Sequence, residues 1–247
     1  AVVLCRKAVE EICADGLIIS DIPLLIDLRK AGCSAPIHLS SLAGCINSGT
    51  VDFYRGMGIS RIILPRQLRP SEIEDLVKRN REQMDFEVFA LNDGCFFEEG
   101  YCQTTHALNP FCMTDWEMDS IPGHGEDSNS LGNPDLLEKN RTDMKGFLWF
   151  LNNCGSSFQD DGLPNGPCSL CLFGHFQDWG VDAVKIVGRE ASFYRKMRSL
   201  QIVKAVMDQI RPGTDPNEIA HYACRLRSTP DLCTSGLMCY FRESDDS

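Results

Sequence analysis

The feature that most constrains the fold of this chain is a unit of strand, short loop and helix that recurs along its first part. Strand-like runs lie at residues 16–20, 36–40, 61–65 and 86–91, and amphipathic segments follow the first three. Asp21 is placed to cap the first of these helices. Units of this kind form parallel strands with right-handed crossovers. The sequence therefore predicts an α/β fold, either a (β/α) barrel or a doubly wound sheet.

The pattern breaks between Cys95 and Cys168, where Gly, Asn, Asp, Ser and Pro accumulate. Loops longer than about 15 residues are either functional or disordered. This one lies between two cysteine groups, which favours a functional cap over the sheet. We therefore predict four segments: the first part of the barrel at 1–94, a cysteine-rich cap at 95–167, the last barrel strand and helix at 168–212, and a C-terminal helix and tail at 213–247.

The composition limits the partners and the compartment. The chain has 247 residues and 43% hydrophobic content, enough for one large domain with its own core. Its 24 basic and 35 acidic residues give a net charge of −11 without any basic run, which argues against duplex nucleic acid as a general partner, although a local basic rim can outweigh the total. No apolar stretch approaches the roughly 20 residues that span a bilayer. With no signal-peptide pattern at its start, we expect a cytoplasmic protein without membrane contact.

Thirteen cysteines make the chain rich in soft metal ligands. An odd number cannot all pair within the chain, so reduced thiols are favoured over a disulfide scaffold. Cys95 and Cys102 frame CFFEEGYC, Cys112 follows in NPFC, and Cys168 and Cys171 form CSLC. Thiolates select iron-sulfur clusters or zinc over hard cations. Zinc sites usually draw on Cys-x2-Cys pairs, of which CSLC is one, whereas the open spacing of the whole set suits a cluster better.

Seven of the eight other cysteines fall into two groups. Four early ones sit among apolar neighbours or small loop residues and are expected to behave as small buried hydrophobes: Cys5, Cys13, Cys33 and Cys45. Three late ones, Cys224, Cys233 and Cys239, have no assigned role. The segment CTSGLMC at 233–239 is an alternative source of one metal ligand.

The order of four segments resembles a known family. They are PIHLSSLAGCINS from residue 36, RIILPRQL from 61, CFFEEGYC from 95 and CSLCLFGHFQDWGVDAVKIVGR from 168. Their order and spacing are similar to those of the collagenase-like peptidases, peptidase family U32, over roughly residues 10–200 with a gap in the middle. That family includes proteins of oxygen-independent ubiquinone hydroxylation and enzymes that hydroxylate tRNA or ribosomal RNA bases with prephenate as oxygen donor. Its peptidase label is historical.

The resemblance implies a TIM-barrel-like (β/α) fold that carries a four-iron, four-sulfur (4Fe-4S) cluster. Carried over residue by residue, the ligands would be Cys95, Cys102, Cys112 and Cys171, with Cys168 in reserve. The first βα units of the family barrel have no counterpart, because the first strand here resembles the third or fourth family strand. We therefore expect either that the sequence is a fragment or that a partner chain or a second copy in a homo-oligomer completes the barrel.

The strand ends supply further candidate residues. In parallel barrels the reactive groups sit at the carboxyl ends of strands, which selects His38, Ser40, Arg66, Asn92, Asp93, Lys185 and Arg189. Arg66, Lys185 and Arg189 would together bind a small dicarboxylate donor such as prephenate. The alternative for Lys185 and Arg189 is ordinary pairing with barrel acids. His38 is a candidate proton shuttle, and the alternative is a hydrogen-bonded structural histidine.

These observations lead to three functional hypotheses. The first is an iron-sulfur protein for oxygen-independent hydroxylation of an aromatic or heterocyclic substrate, with a basic rim that orients an acidic donor and a cap that excludes water. The second is a non-catalytic iron-sulfur subunit of a heteromeric complex. A peptidase comes third, because the chain has no HExxH motif and no motif that assembles a Cys-His dyad.

Overall fold

Five parallel strands form the sheet at the centre of the protein. The computed structural model describes residues 1–92, 159–188, 191–236 and 238–241, with isolated helical positions between 135 and 145. The strands are β1 Leu17–Ile19, β2 Ile37–Leu39, β3 Arg61–Ile63, β4 Asp85–Leu91 and β5 Ala183–Ile186.

The strands lie in the order in which they occur in the chain, β1-β2-β3-β4-β5, and every neighbouring pair is parallel. A doubly wound sheet reverses its strand order at a switch point, and no reversal occurs among these five strands. The α/β prediction is confirmed. Closure into a TIM barrel stays a prediction, because β1 and β5 each pair with one strand in the described part of the chain.

Helices connect and cover the strands. They are α1 Val2–Glu10, α2 Ile22–Lys30, α3 Ser48–Gly56, α4 Pro70–Asn80, α5 Phe173–Trp179, α6 Phe193–Met207, α7 Pro216–Arg227 and α8 Pro230–Ser235. Side-chain caps fix where several begin. Asp21 accepts the Leu24 N–H at 2.7 Å, which confirms the predicted start of α2, and Asn47 accepts the Thr50 N–H at 2.9 Å at the start of α3. Each cap of this kind contributes about 1 kcal/mol.

The two faces of the sheet differ in character. On one face Ile37, Ile62 and Phe86 are completely buried in the hydrophobic core. Burying side chains of this size contributes about 1.5–3 kcal/mol each. On the other face the register aligns Ile18, His38, Arg61 and Asp85 in one row across β1 to β4. This second face is polar and only partly covered, since Ile18 remains 55% exposed.

A returning segment joins the end of β4 to the C-terminal tail. The Ser169 N–H donates to the Ala90 carbonyl at 2.9 Å, and the Asn92 N–H donates to the Pro167 carbonyl at 2.8 Å. Cys168 forms an antiparallel bridge with Leu91 and a parallel bridge with Cys239. These contacts hold the tail against the carboxyl end of β4.

The described residues do not test the predicted cap or the predicted division of the chain into segments. Most of the proposed cap at 95–167 lies outside the described residues, and the division into four segments stays a prediction. In the part of the chain that the structure describes, none of the helices is both long and apolar enough to cross a membrane.

Candidate functional site

Charged side chains line the partly covered face of the sheet. Arg61 lies 3.3 Å from Asp85 and 3.7 Å from Glu87, and the Lys185 ammonium lies 3.8 Å from the other Glu87 oxygen. The Glu87 side chain is only 12% exposed, so its charge is partly removed from water. The arrangement follows from strand geometry, because alternate residues of β4 point to this face. The charged face, as we call it, consists of His38, Arg61, Arg66, Asp85, Glu87 and Lys185.

Arg66 follows β3, and its guanidinium lies over an aromatic ring. Its guanidinium carbon lies 3.8 Å from the Phe89 ring centroid and 5.8 Å from that of Tyr240. Lys185 Nζ lies 5.9 Å from the same Phe89 centroid. Phe89 is 2% exposed, and its buried ring lies within cation-π distance of both cations.

His38 is the titratable group of the charged face closest to neutrality. Burial lowers its pKa from the ordinary value of 6.5, and Arg61 and Lys185 lower it further, against the opposing effect of Glu87 and Asp85. The imidazole is therefore neutral at pH 7 and can accept a proton.

The structure brings together some of the predicted strand-end residues and separates others. His38, Arg66 and Lys185 all belong to the charged face, and Arg189 and Asp93 lie outside the described residues. Asn92 is 2% exposed and donates through its amide to Ser199 Oγ at 2.8 Å, which makes it a structural residue.

Sequence reasoning missed Arg61 and Glu87. The alternation in DFEVFAL, with acids at the first and third positions of β4, is the signal that could have placed Glu87 on one face with Asp85. Arg61 joins them through the register of β3 with β4. The pairing of Lys185 with Glu87 agrees with the alternative of ordinary pairing with sheet acids.

A second group of reactive side chains gathers in the C-terminal part. Five thiols from four separate segments come within electrostatic range of one another: Cys168, Cys171, Cys224, Cys233 and Cys239. We call this group the thiol cluster. Of the four early cysteines, Cys45 is buried as predicted, but the prediction is wrong for Cys13, which is exposed after α1 with φ of 58°.

Burial and mutual repulsion raise the pKa of three of these thiols, Cys168, Cys171 and Cys224. Burial, followed by the charges of the other four thiols, raises the pKa of Cys171 well above its usual range. Burial and the adjacent Cys233 raise the pKa of Cys224 to about 11. Burial also raises the pKa of Cys168, although Arg227 and the Leu170 N–H act in the opposite direction.

The described residues include only part of the expected ligand set. Cys171 and the reserve ligand Cys168 are described, whereas Cys95, Cys102 and Cys112, the cap cysteines, are not. Among the residues that the structure describes, no three Cys, His, Asp or Glu side chains are already arranged to hold a metal ion. A soft metal nevertheless suits the donor chemistry around Cys171, because the titratable groups that act on it among the described residues are the other four thiols of the cluster.

Comparison with known proteins gives one family and, among the relatives found, two proteins of the same name. The model described as Peptidase family U32 matches residues 5–246. The tRNA hydroxylation protein P of Escherichia coli (strain K12) is 28% identical over 235 residues, which cover 84% of this chain and 51% of that protein. The protein of the same name from Haemophilus influenzae is 26% identical over 236 residues, which cover 81% and 50%. The chain thus spans about half the length of these curated relatives. No solved structure matches it.

Proposed function

Because the chain belongs to peptidase family U32, we propose that it takes part in oxygen-independent hydroxylation of a heterocyclic substrate, with a tRNA base as the first candidate. The observation that carries this proposal is the family match over nearly the whole chain together with the names of both relatives. A tRNA substrate would also place the protein in the cytoplasm.

The charged face supports a role in binding an acidic donor. It carries three cationic side chains, Arg61, Arg66 and Lys185, against the two acids Asp85 and Glu87. Arg66 lies over the Phe89 ring, and its planar guanidinium has the geometry to bind a carboxylate bidentately. A small dicarboxylate such as prephenate fits this chemistry, and Arg189 would add a further basic contact. His38, neutral at pH 7, would accept a proton beside the donor.

The proposed cofactor is a 4Fe-4S cluster on the cap cysteines and Cys171, with Cys168 in reserve. Its fit rests on the donor chemistry around Cys171, which is half-buried and lies within electrostatic range of four other thiols. When bound, the cluster would supply electron transfer or oxygen-transfer chemistry. The protein would contribute the orientation of the donor and the exclusion of water.

A second candidate is an iron-sulfur subunit without activity of its own. The observation that favours it is the face of the sheet that the described residues cover only in part, where Ile18 on β1 is 55% exposed. Parallel sheets are normally covered on both faces. A partner chain or a second copy would then complete the sheet and the site.

Anaerobic reconstitution tests the proposal. The full chain should bind iron and acid-labile sulfide, and incubation with prephenate and unmodified tRNA should yield nucleosides that have gained one oxygen, detected by mass spectrometry. The Arg66→Met variant should raise the KM for prephenate with little change in iron content. Arg55→Met, on the exposed side of α3, is the matched control. Iron-loaded protein that leaves prephenate and tRNA unchanged would favour the subunit, and protein without iron would refute the cluster.

A further inference from the structure

We propose that the thiol cluster is a metal site in its own right, in which Cys168, Cys224, Cys233 and Cys239 bind one thiophilic divalent cation. Cys171, the fifth thiol of the cluster, and the cap cysteines take no part. Cys168 is shared with the proposed function only as its reserve ligand, so the inference does not need the iron-sulfur cluster to be present. The four ligands come from the returning segment, from α7, from α8 and from the tail.

Backbone pairing fixes the first two ligands beside each other. The Cys168 N–H donates to the Met238 carbonyl at 2.8 Å, and the Tyr240 N–H donates to the Cys168 carbonyl at 3.1 Å. These two bonds bracket Cys239 and make it the bridge partner of Cys168. Paired residues of a β-bridge present their side chains to the same side.

Two helices supply the other two ligands. The Cys224 thiol on α7 and the Cys233 thiol on α8 share a hydrogen bond. Thr229 Oγ1 lies 3.8 Å from Cys233 Sγ and helps to orient it. Cys224 also senses the charges of Cys168 and Cys239, which joins the helix pair to the backbone pair.

The surroundings of Cys168 include a contact that stabilises a thiolate. Its sulfur accepts the backbone N–H of Leu170, two residues further along the chain. A backbone N–H donated to sulfur favours the charged form. Cys171, three residues after Cys168, remains available for another centre, much as adjacent ferredoxin cysteines ligate different clusters.

Arg227 gives a second, independent reason to place an anionic centre here. The side chain is 2% exposed, and the charge of its guanidinium reaches Cys168. One nitrogen, Nη2, donates to the Gly166 carbonyl, whereas the buried Nη1 has no hydrogen-bond partner among the described residues. In the same part of the chain no carboxylate pairs with Arg227. A buried cation without a counter-charge is strongly destabilising. A divalent ion held by four thiolates carries two net negative charges, and one of them would offset the charge of Arg227.

Binding would proceed with a simple proton balance. Four thiols release four protons to solvent, and the cation gains four sulfur ligands without any change of oxidation state. The attraction of the cation replaces the mutual repulsion of the thiolates. The sulfurs would then close to about 2.3 Å from a zinc ion.

Cobalt titration tests the site. Co²⁺ is added anaerobically to the reduced, metal-free full chain, and thiolate-to-cobalt charge-transfer absorption is followed until Zn²⁺ displaces it. We expect one equivalent in the unmodified chain, in Cys171→Ser and in a triple variant with all cap cysteines changed to Ser. Cys224→Ser and Cys233→Ser should each lose more than about 100-fold in affinity, and Arg227→Gln about 10- to 100-fold, as for residues that support metal ligands. Cys33→Ser is the neutral control.

Cysteine alkylation of the unmutated chain, with and without metal, gives a second test that does not depend on the folding of variants. Zn²⁺ should slow alkylation of Cys224, Cys233 and Cys239 and leave that of Cys13 unchanged, as read by mass spectrometry. Loss of the cobalt signal in the cap triple variant, normal affinity in Cys224→Ser, or alkylation that Zn²⁺ leaves unchanged would each overturn the proposal. Cys171→Ser separates the two centres, because it should lose iron and sulfide while it keeps cobalt binding.

Discussion

The guanidinium carbon of Arg66 lies 3.8 Å from the centre of the Phe89 ring. This stacking should stabilise the fold as well as prepare Arg66 for a donor. Arg66→Met keeps the apolar stem and removes the charge, so the free energy of unfolding in urea should fall by about 0.5–2 kcal/mol. Arg55→Met removes only an exposed pair with Asp52 and should cost about 0.5 kcal/mol or less. Equal losses in both variants would mean that the stacking contributes nothing.

Gly174 allows α5 and α7 to approach closely. A Cβ at this position would lie 2.7 Å from the Cα of Pro216, which is backbone and cannot turn aside. Gly174→Ala should therefore lower the free energy of unfolding by about 1–3 kcal/mol. Because α7 carries Cys224, cobalt affinity should fall as well.

Gly56, at the end of α3, is the matched control for Gly174. A Cβ added there would meet no atom of the described residues within 4 Å, and the φ of Gly56 is not positive. Gly56→Ala should raise the free energy of unfolding by about 0.5–1 kcal/mol, because alanine loses less backbone entropy on folding. Thermal and urea unfolding of the two variants side by side would test the pair. Similar effects at both sites would contradict the close helix contact.

Asn92 combines a left-handed backbone with a buried amide. Its φ is 71°, and its amide donates to Ser199 Oγ at 2.8 Å and to the Val187 carbonyl at 3.4 Å. Asn92→Ala should cost about 2–3 kcal/mol in urea unfolding. Asn92→Gly, which accepts the backbone shape, should cost about 1 kcal/mol less than Asn92→Ala. The opposite order would show that backbone strain is unimportant here.

The stability of the protein should depend on pH through His38. Burial and then Arg61 lower the His38 pKa below 6.5, so the unfolded chain binds the proton more readily than the folded one. As pH falls through 6.5 toward the folded pKa, the unmodified protein should therefore lose stability relative to His38→Gln. Urea midpoints measured across this range would reveal the difference. In Arg61→Met the effect should shrink, and a gap between His38→Gln and the unmodified protein that does not change with pH would refute the prediction.

Much of the fold could be predicted because it rests on local chemistry. Asp21 and Asn47 mark the starts of α2 and α3, and the apolar run of β3 predicts a buried strand. The helix α8 was not predicted, since a six-residue helix in a tail without clear periodicity leaves little pattern to detect. Barrel closure depends on what pairs with β1 and β5, which no local pattern encodes.

The candidate sites divide in the same way. His38, Arg66 and Lys185 were found because each lies in or soon after a strand. The sharing of Glu87 between two cations depends on the register of three strands, and that register is a property of the assembled sheet.

The thiol cluster was harder still to predict. Cys224, Cys233 and Cys239 have none of the close spacing of a metal motif. Only the folding of α7, α8 and the tail against Cys168 brings them together.

We expect the order of the strands in the chain to determine the order in which they pair during folding. Arg61 on β3 contacts Asp85 on β4 across 24 residues, whereas the Phe86 N–H on β4 reaches the Asp182 carboxylate just before β5 across 96. That fourfold longer loop adds about 1.2 kcal/mol of closure entropy. β1 to β4 should therefore pair with one another during synthesis, and β5 should pair with β4 last. Pulse-labelled hydrogen exchange should find the β3 amides protected before those of Ala183–Ile186, and simultaneous protection would rule out this order. The Glu87–Lys185 contact and the thiol cluster would then be late products of folding, formed only after the sheet edge that receives them.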